Sequence, residues 1–121
     1  MFKNYDFCCP FCNAVLNKKE SVVLKTKRKN GEEGLIYLSA TVGDYEYRHE
    51  PDIQFDEGEV LDFLCTACDA SLNSKEFSNY GRVKMIVKEE EIEFDVIFSR
   101  KSGVHKTYLI TEDGIETYSG T

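Results

Sequence analysis

Residues 6–20 read DFCCPFCNAVLNKKE, and residues 62–76 read DFLCTACDASLNSKE. Nine of these fifteen aligned positions are identical, at a constant offset of 56 residues. The shared residues are an Asp-Phe pair, both cysteines of a C-x-x-C, an Ala, a Leu, an Asn and a Lys-Glu pair. Two C-x-x-C knuckles in matching contexts point to one metal site with four thiolate ligands: Cys9, Cys12, Cys65 and Cys68.

The local chemistry fits that reading. Two cysteines three apart reach one ion only if the chain turns tightly between them. Such a turn places the residue after the second cysteine at positive φ, which favours Gly and then Asn or Asp. Those residues here are Asn13 and Asp69. Pro10 pre-sets φ inside the first turn. Ala14 and Ala70 are small enough for backbone to approach the ion, and Leu16 and Leu72 are expected to shield it from water. The fifth cysteine, Cys8, aligns with Leu64 and is read as a small buried hydrophobe outside the ligand set.

The pair of knuckles resembles the zinc-ribbon and rubredoxin-like superfamily, whose members clamp one Zn or Fe between two C-x-x-C hairpins on a small β-sheet. The resemblance rests on the four cysteines and their neighbours, about a quarter of the chain. The chain departs from it in lacking Gly after each second cysteine and in the 52 residues that separate the knuckles. The resemblance implies a bound Zn²⁺, with iron as the alternative ion.

Composition narrows the field. The 121 residues carry a formal charge of −7, to which a zinc-bound four-thiolate site adds about −2. Affinity for nucleic acid or for an anionic membrane surface is therefore not expected. No apolar run approaches the roughly 18 residues needed to span a bilayer. The first residues, MFKNYDF, lack a secretory h-region. Reduced, metal-ready thiols suit a cytoplasmic protein.

The expected fold is mostly β: one domain over residues 1–121, with a zinc-ribbon-like pair of metal knuckles on an antiparallel sheet and a C-terminal β-meander. Residues 21–28 (SVVLKTKR) and 35–42 (LIYLSATV) read as a hairpin across Asn30-Gly31. Residues 43–58 read as a long polar loop, and residues 60–64 as a short strand feeding the second knuckle. Single helical turns are expected at residues 17–20 and 73–77. The meander spans residues 82–118, with strands at 82–87, 92–99, 106–111 and 114–118. Within it Ile92, Phe94, Val96 and Phe98 share one face at core spacing.

Other motifs carry less. The CPFC at residues 9–12 has the form of a thioredoxin-like redox pair, but no helical period follows it. His105 reads as exposed. Lys25, Lys27 and Lys29 alternate along one strand and read as a solvated edge face; the functional alternative is a phosphate-contacting strip. No nucleophile, carboxylate pair or phosphate loop forms a catalytic constellation, and a closed four-cysteine shell leaves no position for water activation. The chain therefore reads as a non-enzymatic adaptor or accessory subunit that binds another protein. The alternatives are a rubredoxin-like electron carrier and a nucleic-acid-binding ribbon. The long loop supplies the expected contact residues Tyr45, Tyr47, Arg48 and His49, because aromatic and charged side chains dominate interfaces and long loops are often functional.

Overall fold

Residues 5–119 are described by a computed structural model. They form strands joined by turns, with no helix. The strands are β1 (Tyr5–Cys8), β2 (Asn17–Lys18), β3 (Ser21–Lys27), β4 (Glu33–Ser39), β5 (Tyr47–Glu50), β6 (Asp62–Leu64), β7 (Tyr80–Val87), β8 (Ile92–Ser99), β9 (Lys106–Thr111) and β10 (Gly114–Ser119).

They make two antiparallel five-stranded sheets rather than one. The first runs β1-β7-β8-β9-β10 and contains the whole predicted meander. The second runs β2-β3-β4-β5, with β6 also paired to β3. Along one edge, β3 bonds β2 through Ser21 and Val22 and bonds β6 through Lys25 to Lys27; β4 fills its other edge. Lys25 and Lys27 therefore lie on an interior strand (Lys29 falls beyond it, in the turn that follows), not on a sheet edge. Period-two burial explains why: Val22, Leu24 and Thr26 alternate into the core, while Lys25 and Lys27 point away from it.

The chain changes sheet at each knuckle. It leaves β1 in the first sheet and enters β2 and β3 in the second. After β6 it passes through the second knuckle back to β7 in the first sheet. The core draws on both sheets, with Phe7, Val83, Met85, Val96 and Leu109 from one and Val22, Leu24, Ile36 and Phe63 from the other.

Three expectations need correction. The segment 43–58 is not all loop, because residues 47–50 pair with β4 as edge strand β5. Its polar composition hid the strand, since an edge strand has to bury only alternate residues. Residues 17–20 and 73–77 form no helical turn: Asn17 pairs with Val22, and Asn73 bridges to Gly81. In β8, Val96 is buried and Phe94 and Phe98 pack on the core, but Ile92 at the strand's start is exposed.

The two halves follow the same hydrogen-bond pattern and differ in side chains. Lys25 lies opposite Leu64, while Lys84 lies opposite Cys8, the residue aligned with Leu64. By the same ladders Thr26 matches Met85, and His49 matches Leu109. The second half buries the apolar pair. The first buries Thr26 and His49, joined by a 2.7 Å bond between Thr26 Oγ1 and His49 Nε2. His49 Nδ1 lies 2.7 Å from the Pro51 carbonyl, which can only accept, so Nδ1 carries a proton and donates it, while Nε2 has its partner in the Thr26 hydroxyl. Gly34 makes room for the imidazole, as a Cβ there would lie 2.6 Å from His49 Cε1 and 2.5 Å from the Glu50 carbonyl oxygen.

A bidentate ion pair fastens the β3–β4 turn to the segment before β6. Arg28 donates from Nε and Nη2 to the Glu59 carboxylate at 2.7 and 2.9 Å, and from Nη1 to Glu32 at 2.7 Å. The Arg28 guanidinium holds the Glu59 carboxyl below the usual carboxylate range.

Two stability measurements check these contacts. Thr26→Val strands the buried His49 Nε2 and is expected to cost about 1–3 kcal/mol in urea unfolding. Thr26→Met combined with His49→Leu reproduces the apolar pair of the other half and is expected to recover most of that loss; a neutral single variant would contradict the assignment. For Glu59, a carboxylate whose pKa is depressed on folding stabilises above its unfolded pKa and stops doing so as pH falls through the folded one. The stability gap between the native chain and Glu59→Gln is thus expected to be constant near neutrality and to close below about pH 4.3.

Candidate metal centre

Each knuckle is built by the same bonds. In the first, the Cys9 N–H donates to the Ala14 carbonyl at 3.0 Å, and the Asn13 N–H to the Cys9 carbonyl at 3.0 Å. In the second, Cys65 bonds Ala70 and Asp69 bonds Cys65, both at 3.0 Å. Leu16 closes on the Phe7 carbonyl at 2.7 Å and Leu72 on the Phe63 carbonyl at 2.8 Å. Asn13 and Asp69 adopt the left-handed conformation, with φ of 64° and 63°, which their short polar side chains tolerate. Leu16 and Leu72 are buried in the hydrophobic core.

The four sulfurs of Cys9, Cys12, Cys65 and Cys68 all lie within 4.8 Å of one another. Cys9 and Cys68 are 3.8 Å apart and Cys12 and Cys65 are 3.7 Å apart, each pair joining the two knuckles. A tetrahedron with metal–sulfur bonds of roughly 2.3 Å has an edge of about 3.8 Å, so the cluster has the dimensions of a four-thiolate site. Cys9 and Cys65 are fully buried, whereas Cys12 and Cys68 reach solvent. The buried sulfurs accept backbone N–H bonds: Phe11 to Cys9 and Ala67 to Cys65 at 3.3 Å, and Cys68 to Cys65 at 3.5 Å.

The thiols oppose one another's ionisation. The Ala70 N–H pulls the Cys68 thiol down, but desolvation and hydrogen bonds to the Cys12, Cys65 and Cys9 sulfurs outweigh it and push Cys68 up to about 12. A divalent cation reverses that balance by binding thiolates. Cys8 lies outside the cluster. It is buried, and that burial, with the Asp6 charge second, raises its pKa, as for an inert packing thiol.

Sequence reasoning reads Lys25 only as part of a lysine strip and does not single out Lys84. Lys25 bonds the Asp69 carboxylate, and Lys84 Nζ donates to Asn13 Oδ1 at 3.0 Å, so each knuckle's left-handed residue is held by one cation. They bring positive charge toward a cluster of thiolates. Aligning Leu24-Lys25 with Val83-Lys84, after a three-residue insertion, would have revealed them.

The loop residues are not part of this centre. The Tyr45 hydroxyl lies 2.9 Å from Thr107 Oγ1 and donates to the Tyr118 carbonyl at 3.1 Å, while its ring stacks on His105 at 4.8 Å. His49 is buried against Phe55. Tyr47 and Arg48 are exposed on β5, where the Arg48 guanidinium sits 3.9 Å over the Tyr37 ring and pairs with Glu50. Lys25 of the lysine strip pairs with Asp69, and the neighbouring Arg28 pairs with Glu59 and Glu32.

No protein-family model matches the chain, and no curated protein or solved structure is significantly similar to it.

Because the ligands start as thiols, loading with Zn²⁺ near neutral pH is expected to release protons, and affinity should fall as pH falls. Cys65→Ser is expected to weaken binding by orders of magnitude and lower the melting temperature sharply, and Cys8→Ala to leave metal content unchanged. Equal losses from both variants, read by metal analysis and thermal melting, would refute the ligand set.

Proposed function

We propose that this chain is a small zinc protein whose Cys9, Cys12, Cys65 and Cys68 shell is structural, and that it works in the cytoplasm by binding another protein, as an adaptor or accessory subunit. The observation that carries the reading is the closed shell. Four sulfurs complete a tetrahedron and leave no coordination position for substrate or water. The ion would join the two points at which the chain crosses between sheets, so its binding energy is also folding energy. The matched bonds of the two knuckles and the ladders that follow them support a second part of the reading, that the chain is two copies of one unit sharing a single ion.

A protein partner suits the surface. The charge of −7 and the engagement of Lys25 and Arg28 with carboxylates argue against nucleic acid. Strand β5 ends its sheet and displays Tyr47 on one face and Arg48, fixed between Tyr37 and Glu50, on the other. Rigid aromatic and guanidinium groups beside an unpaired strand edge favour capture of an extended segment. One observation favours the alternative of a rubredoxin-like iron carrier: Cys12 and Cys68 are open to solvent, which suits electron transfer.

Metal analysis of protein from its native host is expected to find one zinc per chain; a coloured iron site would overturn the structural reading. A photo-crosslinker at exposed Glu46 should form one discrete protein adduct. Tyr47→Ala with Arg48→Ala should abolish it while leaving metal content and melting unchanged. An adduct that survives the double change moves the interface elsewhere.

A further inference from the structure

The two sheets are linked along one flank by the knuckles, and between them, at the end where β4 and β8 finish, the core is not filled. A half-open cavity of about 330 Å³ lies there. Its walls include Phe7, Leu38, Val42, Phe55, Phe63 and Phe98, and they reach the depth of the hydrophobic core. Packed interiors hold few voids larger than a water molecule. This one lies at the lower end of the size range of ligand pockets.

Local geometry shapes it. Gly81 lets the Phe98 ring lie across β7, since a Cβ there would sit 2.6 Å from Phe98 Cζ. Phe98 in turn packs at 5.5 Å on Phe63. The rim is held by contacts the metal centre does not need. The Tyr45 hydroxyl links it to Thr107 and Tyr118, and the Tyr45 ring stacks on His105. The segment before β5 is thereby tied to the opposite sheet, and the opening is preformed.

We propose that this cavity is a binding site for a small uncharged, predominantly apolar molecule of about a dozen heavy atoms, scaled from benzene filling a cavity of roughly 150 Å³. The walls exclude a charged body, because nothing there would solvate it. At the rim stand two cations, Lys101 and Lys106, and two anions, Asp44 and Glu46. Arg100 is already committed, donating to the Leu61 carbonyl at 2.7 Å and to Asp62 at 3.1 Å. Apart from Arg100 these charges sum to zero, so the mouth offers no net charge that would favour an ionic head group. Ser99 can meet a single hydroxyl or carbonyl at the mouth. The proposal does not depend on the adaptor role, and Glu46 and Tyr47 border both surfaces.

Naphthol and naphthoate, a neutral and an anionic probe of one shape, test the proposal on the metal-loaded full chain. Calorimetry should show naphthol saturating one site per chain with micromolar affinity, and naphthoate at least about tenfold weaker. Amide chemical-shift changes should centre on Leu38, Val42, Val96 and Phe98. Val42→Phe fills the cavity and should weaken naphthol binding at least about tenfold without lowering metal content. If that variant misfolds, Leu38→Trp takes its place. Lack of saturation overturns the proposal, as do shifts that map elsewhere or affinity unchanged in a folded filled variant. Equal binding of naphthoate overturns the assigned ligand class.

Discussion

The structure depends on four sulfurs meeting where the chain crosses between its sheets. Knuckle one carries the chain from the first sheet to the second, and knuckle two carries it back. Sulfurs 3.7 and 3.8 Å apart join the two crossings, with 52 residues of intervening chain. Without an ion, the three neighbouring sulfurs oppose the ionisation of Cys68, which rises to about 12. With one, mutual opposition becomes a common attraction, and the connection between the sheets is closed by bonds far stronger than any contact in the core. Lys25 and Lys84 brace the outer corners of the two turns.

Around that centre the halves share a backbone plan but not a chemistry. Where the second half buries Met85 and Leu109, the first buries a threonine and a histidine, satisfied by each other and by the Pro51 carbonyl. A buried polar pair of this kind adds little to stability when complete and costs much when broken, so it narrows the tolerated arrangements more than it strengthens the fold. It also positions β5: His49 anchors that strand inward, which turns Arg48 to the surface, while Tyr47, on the same face as His49, sits half-exposed beside Phe55. The same stretch, through Tyr45, props open the cavity between the sheets. Residues 43–58, polar and unpromising in sequence, thus link core, surface and cavity.

Much of the centre was legible in the sequence because its demands are local. A C-x-x-C turn needs a residue that accepts positive φ, and Asn13 and Asp69 supply it within one turn of the thiols they follow. The alternation in β3 and β7–β9 was legible for a similar reason, since period-two burial is written along each strand. The Leu64 alignment identified Cys8 as a packing residue because equivalent positions in matched turns face equivalent surroundings.

The sequence by itself determined a mostly β chain, the four cysteines that cluster, the left-handed residues and the meander. The tertiary structure alone decided that there are two sheets, that the chain exchanges between them at the knuckles, and that β3 is interior, which committed Lys25 and Arg28 to carboxylates. It alone revealed β5, the Thr26–His49 pair and the cavity. The division has one physical cause. Turn conformation and strand alternation are set by neighbours within a few residues, whereas strand order and the partners of a buried polar group depend on residues tens of positions away, and no local pattern encodes those distances.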